Sequence, residues 1–145
     1  MSSLQTKVEF SRRSARIPHS TGIPDQELLR DHKMFPFAAR FYDSEEMCAQ
    51  KILALSSLSR HAARDLFDLD HLWTMSPLKP EAIKKLVEPQ DVEKAVGKAE
   101  SFTHKDFKEQ VLPYLTESLC ALHGNAHAFD QLKKRVEDSL LEIWS

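Results

Sequence analysis

Asp43-Ser44-Glu45-Glu46-Met47-Cys48-Ala49-Gln50-Lys51-Ile52-Leu53-Ala54-Leu55 is the stretch on which the fold turns. Asp43 with Glu46 three residues on has capping-box spacing, and the residues that follow are apolar on most sides. A buried helix over 44–57 is predicted. Lys51 is out of place in it. On a helical wheel it falls among Met47, Ala54, Leu55 and Leu58, inside the apolar sector. An ammonium there is costly unless its stem carries it to water, a carboxylate meets it, or an anion binds it.

Downstream comes Arg64-Asp65-Leu66-Phe67-Asp68-Leu69, within a second predicted helix over 62–74. Ala62, Leu66, Leu69, Leu72 and Trp73 share one face of it. Asp65 lies on the flank of that face and Asp68 about 60° further round. The two carboxylates are therefore neighbours, placed where Lys51 can meet them. A plainer reading competes: Asp65 favours the helix N-terminus, and Lys51 or Arg64 forms an ordinary structural ion pair. Asp68-Leu69-Asp70 spells a pattern that joins two carboxylates on a strand. On a helix they diverge by about 160°, so solvated charges are expected rather than a metal site. His123 and His127 are four apart, but Gly124 and Asn125 interrupt them, and a helix-ending loop is expected.

Working outward, Val8, Glu9 and Phe10 alternate as a half-buried strand over 4–10 would. Residues 11–24, with Arg12, Arg13, Arg16, Pro18, Gly22 and Pro24, read as a loop; its arginines are expected to be solvated rather than phosphate-bound. A short helix at 25–32 has Asp25 as its cap, and a second strand is expected over 37–42. Two strands make a poor sheet and need a partner. Pro80 suits the first position of a helix through Val87. Helices over 90–100, 104–117 and 126–143 follow, the last with Phe129, Leu132, Val136, Leu140 and Ile143 at spacings of three and four.

The fold class is thus α+β and predominantly α: short edge strands over 1–43, then a helical bundle over 44–145. The 145 residues suit about one domain, and 41% hydrophobic with 29% charged residues is ordinary globular composition. A net charge of −2 gives no broad basic field for nucleic acid or anionic membrane. Three glycines are too few for a turn-rich all-β fold. Cys48 and Cys120 stand alone in apolar contexts and are expected to be free thiols in a reducing compartment. No run approaches about 18 apolar residues, and the N-terminus lacks a signal-peptide core, so a cytoplasmic location is expected.

From Phe41 to Leu55, and again over Arg64-Asp65-Leu66-Phe67-Asp68-Leu69, the chain resembles the AbiEii/AbiGii family. These are nucleotidyltransferase toxins of bacterial abortive-infection and toxin–antitoxin systems. Their pattern is a strand, a helix ending A-x-K-L-x-A-L, then R-D-[LIY]-[YF]-D-L. The resemblance implies a nucleotidyltransferase-like sheet before the bundle, nucleotide contacts from Lys51 and Arg64, and catalytic acids at Asp65 and Asp68. It also implies NTP and Mg2+ as cofactors and an antitoxin as partner. A lysine is apt, being a compact point charge for phosphate oxygens. The family begins with a Gly-Ser motif and a strand bearing Asp-x-Asp or Asp-x-Glu. This sequence has no Gly-Ser and no acidic pair on a strand before Lys51. Glu9 alone is a poor metal site, since two-metal chemistry needs several oxygen ligands.

The expectation is therefore the C-terminal portion of such an enzyme, truncated or split from its metal-binding front and inactive alone. A non-catalytic interaction module is the alternative, with its strands completed by a second copy or a partner chain. A helical protein with a small-molecule pocket is a third reading.

Overall fold

The computed structural model describes residues 19–145, in two units that divide between Phe41 and Tyr42. The strand expected at 4–10, with Glu9, and the Arg12, Arg13 and Arg16 cluster lie outside the described residues.

In the first unit, β1 (His19–Gly22) and β2 (Ala39–Tyr42) form a two-stranded antiparallel sheet, with α1 (Gln26–Asp31) between them in sequence. The β1 segment falls where a loop was expected. Gly22 and the prolines signalled a turn, but the sheet admits Gly22 where the ring of Phe41 approaches closely: an added Cβ would sit 2.9 Å from Phe41 Cε1. Asp25 caps α1 as predicted, its carboxylate accepting from the backbone N–H groups of Glu27 and Leu28.

The other end of α1 closes on a Schellman motif. Met34 N–H donates to Leu29 O at 2.8 Å and Lys33 N–H to Arg30 O at 3.0 Å. This requires a left-handed residue, and the chain supplies Lys33 at φ 53° where glycine is favoured. Several large apolar side chains of this unit face water, Phe35 being 90% exposed.

The second unit, residues 42–145, is helical: α2 (Ser44–Ser56), α3 (Ala63–Met75), α4 (Pro80–Ile83), α5 (Pro89–Ser101), α6 (His104–Gln110), α7 (Glu117–His123) and α8 (Ala126–Glu142). Packing of α2 on α3 and α5, and of α3 and α5 on α8, builds the core. Ile52, Leu55, Leu66, Leu69, Phe107, Phe129, Leu132 and Leu140 are at most 2% exposed. Each aliphatic side chain so buried contributes about 1.5–3 kcal/mol.

The helical unit also differs from the sequence reading. The helix from Pro80 stops at Ile83. The one expected over 104–117 ends at Gln110 and gives way to a short 3-10 turn at Leu112–Tyr114, because Pro113 lacks the N–H an α-helix needs. Finally, α2 is not buried on most sides: Cys48, Ala49, Ile52 and Leu55 are buried, while Met47 and Leu53 are exposed. Asp43 holds the N-cap position without a capping bond from its side chain.

Replacing Lys33 by Gly removes the left-handed strain and is expected to stabilise α1 by about 1 kcal/mol. Slower amide exchange at Met34, whose N–H closes the motif, would show it; faster exchange would contradict the Schellman geometry.

Candidate functional site

Leu66 and Leu69 of α3 pack into the core with Ile52 and Leu55 of α2, and this facing fixes the polar flank of both helices. The start of α3 is anchored from a distance. Ala62 offers no capping side chain, and the N–H of Ala63 donates instead to Gln110 Oε1 at 2.9 Å. Asp65, in the first turn of α3, is 1% exposed.

Its carboxylate is fully partnered. Lys51 Nζ donates to Oδ1 at 3.1 Å, Arg60 Nε to Oδ2 at 2.5 Å, and Arg60 Nη2 to Oδ1 at 3.2 Å. A fork of this kind is among the stronger ways to satisfy a buried carboxylate. Lys51 Nζ also lies 2.5 Å from Oδ2 of the half-exposed Asp68. Two cations and two carboxylates thus form one neutral cluster.

Burial alone would lower the Lys51 ammonium, but hydrogen bonds and charge from Asp68 and then Asp65 outweigh it and raise its pKa. Hydrogen bonding to Asp65 likewise raises Arg60. Elsewhere on α2, burial pushes the Cys48 thiol up to about 12, the state of an inert core cysteine.

A groove of about 230 Å3 opens beside the cluster, lined by Met47, Gln50, Lys51, Asp68, His71 and Leu72. Lys51 and Asp68 face it; Asp65 and Arg60 are not among its walls. Lys51, Asp65 and Asp68 therefore come together as their spacing suggested. Arg64 points elsewhere, exposed, with its guanidinium 5.6 Å from the centre of the Tyr114 ring.

The cation that sequence reasoning missed is Arg60. Its signal was a basic residue five positions ahead of an acid on a helix's apolar flank. Asp70 departs from expectation too. It is no solvated charge but is 6% exposed and clamped by Arg135 of α8, through Nε and Nη2, both at 2.8 Å. The Asp68-Leu69-Asp70 acids thus serve opposite sides of α3. α7 ends at His123, and Asn125 caps α8 by accepting from Ala128 N–H, so the two histidines are split at the expected break.

Mg2+ does not fit this arrangement. Among the described residues no group of three or more His, Cys, Asp or Glu side chains converges, and cations already occupy the Asp65 and Asp68 oxygens.

The profile of the family described as "Nucleotidyl transferase AbiEii toxin, Type IV TA system" matches residues 2–137. The chain belongs to the AbiEii family, a family of toxin-type nucleotidyltransferases. No curated protein and no solved structure matches it. No helix among the described residues is long and apolar enough to cross a membrane.

Two outcomes follow from the unequal burial of the acids. Asp65→Asn is expected to destabilise the helical unit by roughly 1–3 kcal/mol, because a charge-assisted buried network is lost. Asp68→Asn, at an exposed pair, is expected to stay within about 1 kcal/mol. Urea unfolding measures both, and equal costs would contradict the burial.

Because the folded pKa of Lys51 is raised, its stabilisation is complete below the ordinary lysine value of about 10.4 and is lost as pH rises through the folded value. The difference in stability between wild type and Lys51→Met should therefore be flat below about pH 10 and shrink above it. A difference that grows with alkaline pH would be the wrong sign.

Proposed function

We propose that the helical unit carries the nucleotide-phosphate side of a nucleotidyl-transfer site, with Lys51 contacting the triphosphate of an NTP. The observation that supports this most is the placement of Lys51: a charged ammonium on the wall of a groove, held between two carboxylates. Asp65 and Asp68 keep that lysine charged and oriented, and Asp68, facing the groove, is the acid placed near a bound ligand. Arg64 lies on the exposed side of α3 and would reach only an extended ligand or an acceptor.

Membership of a type IV toxin–antitoxin family supports an antitoxin as partner and the cytoplasm of a bacterium as the place of action. The 145 residues hold no Gly-Ser motif, and neither of the described strands, β1 and β2, carries an acidic residue. On this reading the Mg2+ ligands are supplied by another segment or chain, and these residues bind NTP without transferring it by themselves.

The second reading, an interaction module completed by strand addition, draws on the first unit. A two-stranded sheet is marginal on its own, and Phe35, Phe37 and Phe41 there are 90%, 44% and 50% exposed. Sedimentation in solution addresses it: a strict monomer with intact strands counts against completion by a second copy.

Calorimetric titration of ATP tests the first reading. Binding is expected, and Lys51→Ala should weaken it at least about tenfold, the loss of one charge-assisted contact. No ATP binding in the millimolar range would overturn the reading. Nucleotide transfer by these residues alone would overturn the part concerning the metal ligands.

A further inference from the structure

The two acids that flank Lys51 differ in what else they touch. Asp65 is 1% exposed, lies off the groove and is gripped by both nitrogens of the Arg60 fork. Asp68 is 41% exposed in its side chain, lines the groove, and has Lys51 as its cation. We propose that Arg60 is a positioning residue that takes up the charge of Asp65, leaving Lys51 free to exchange Asp68 for a phosphate of the ligand in the groove. The proposal rests on the nucleotide reading and assigns unlike roles to residues that look alike in sequence.

A buried carboxylate needs a counterion, because leaving it bare costs far more than an exposed pair returns. With Arg60 present, Asp65 has two cations, so Lys51 can turn toward an anion without stranding it. Without Arg60, Lys51 becomes the sole counterion of Asp65 and is pinned at the back of the site.

The outer pair is different. Lys51 and Asp68 meet at the mouth of a groove, where a screened pair contributes roughly 0.2–1 kcal/mol. A polyphosphate with several charges and oxygen acceptors outcompetes a single carboxylate there. Asp68 thus acts as a resident stand-in for the phosphate. It holds the ammonium charged and aimed at the groove while no ligand is bound. Arg60 reaches the groove through neither its own contacts nor its lining, so it acts only through Asp65 and Lys51.

The test is binding of inorganic tripolyphosphate to the full chain, followed by calorimetry at fixed salt. Asp68→Asn removes the competitor and is expected to tighten binding roughly two- to fivefold, the value of an exposed ion pair. Arg60→Gln should weaken it about tenfold. The double variant Arg60→Gln with Asp65→Asn removes both the clamp and the charge it serves. It should recover wild-type affinity to within about threefold, which a merely structural role for Arg60 would not produce.

If Arg60→Gln does not fold, the Asp68 variant and the double variant still decide. Weaker or unchanged binding in Asp68→Asn overturns the exchange, and a double variant that binds more than about threefold weaker than wild type overturns the positioning role. A wild-type chain that binds neither tripolyphosphate nor ATP overturns the nucleotide reading together with this one. Wild-type binding with a loosened Asp68→Asn variant overturns the exchange alone.

Discussion

A carboxylate at 1% exposure is the constraint around which the helical unit is arranged. Asp65 enters the interior because α3 must turn Leu66 and Leu69 into the core, and the residue ahead of that stripe is carried in with it. Once inside, its charge has to be met. Lys51 comes from α2, Arg60 from the turn between the helices, and Gln110 from α6 ties down the first free N–H of α3. The packing of α2 on α3 and the polarity of their shared flank are thus one arrangement. Hydrophobic burial sets the helices face to face, and the ion cluster fixes their register along that face.

The same logic recurs on the far side of α3. Asp70, two residues beyond Asp68, is clamped by Arg135 of α8 at 2.8 Å through both nitrogens. Each exit from the apolar face of α3 is guarded by an acid with an arginine fork. Only Asp68 lacks one. Its lysine partner, shared with Asp65, and its place on the groove make it the one acid of the three whose pairing a ligand can replace at small cost.

Much of this was legible in the residues. The misplaced Lys51 needed water, a carboxylate or an anion, and 100° per residue put Asp65 and Asp68 where they could meet it. The long helices α2, α3, α5 and α8 followed from periodicity, and the family from two ordered motifs. What escaped depends on tertiary contact. Arg60 sits in a non-periodic turn, so no wheel placed it. Asp70 looked solvated because the helix turns it about 160° from Asp68, and only Arg135 from α8 meets it. The β1 strand was hidden by Gly22, whose usual meaning is a turn but which here makes room for Phe41. The break after Gln110 was foreshadowed by Pro113, though the apolar residues around it suggested continuity.

The central claim is that the buried charge of Asp65 depends on Arg60. A double-mutant cycle on urea unfolding, with Arg60→Gln and Asp65→Asn singly and together, tests it most directly. The account predicts strong coupling: Arg60→Gln should cost roughly 1–3 kcal/mol with Asp65 present and close to nothing once Asp65 is asparagine. Additive costs, with Arg60→Gln equally harmful in both backgrounds, would contradict it.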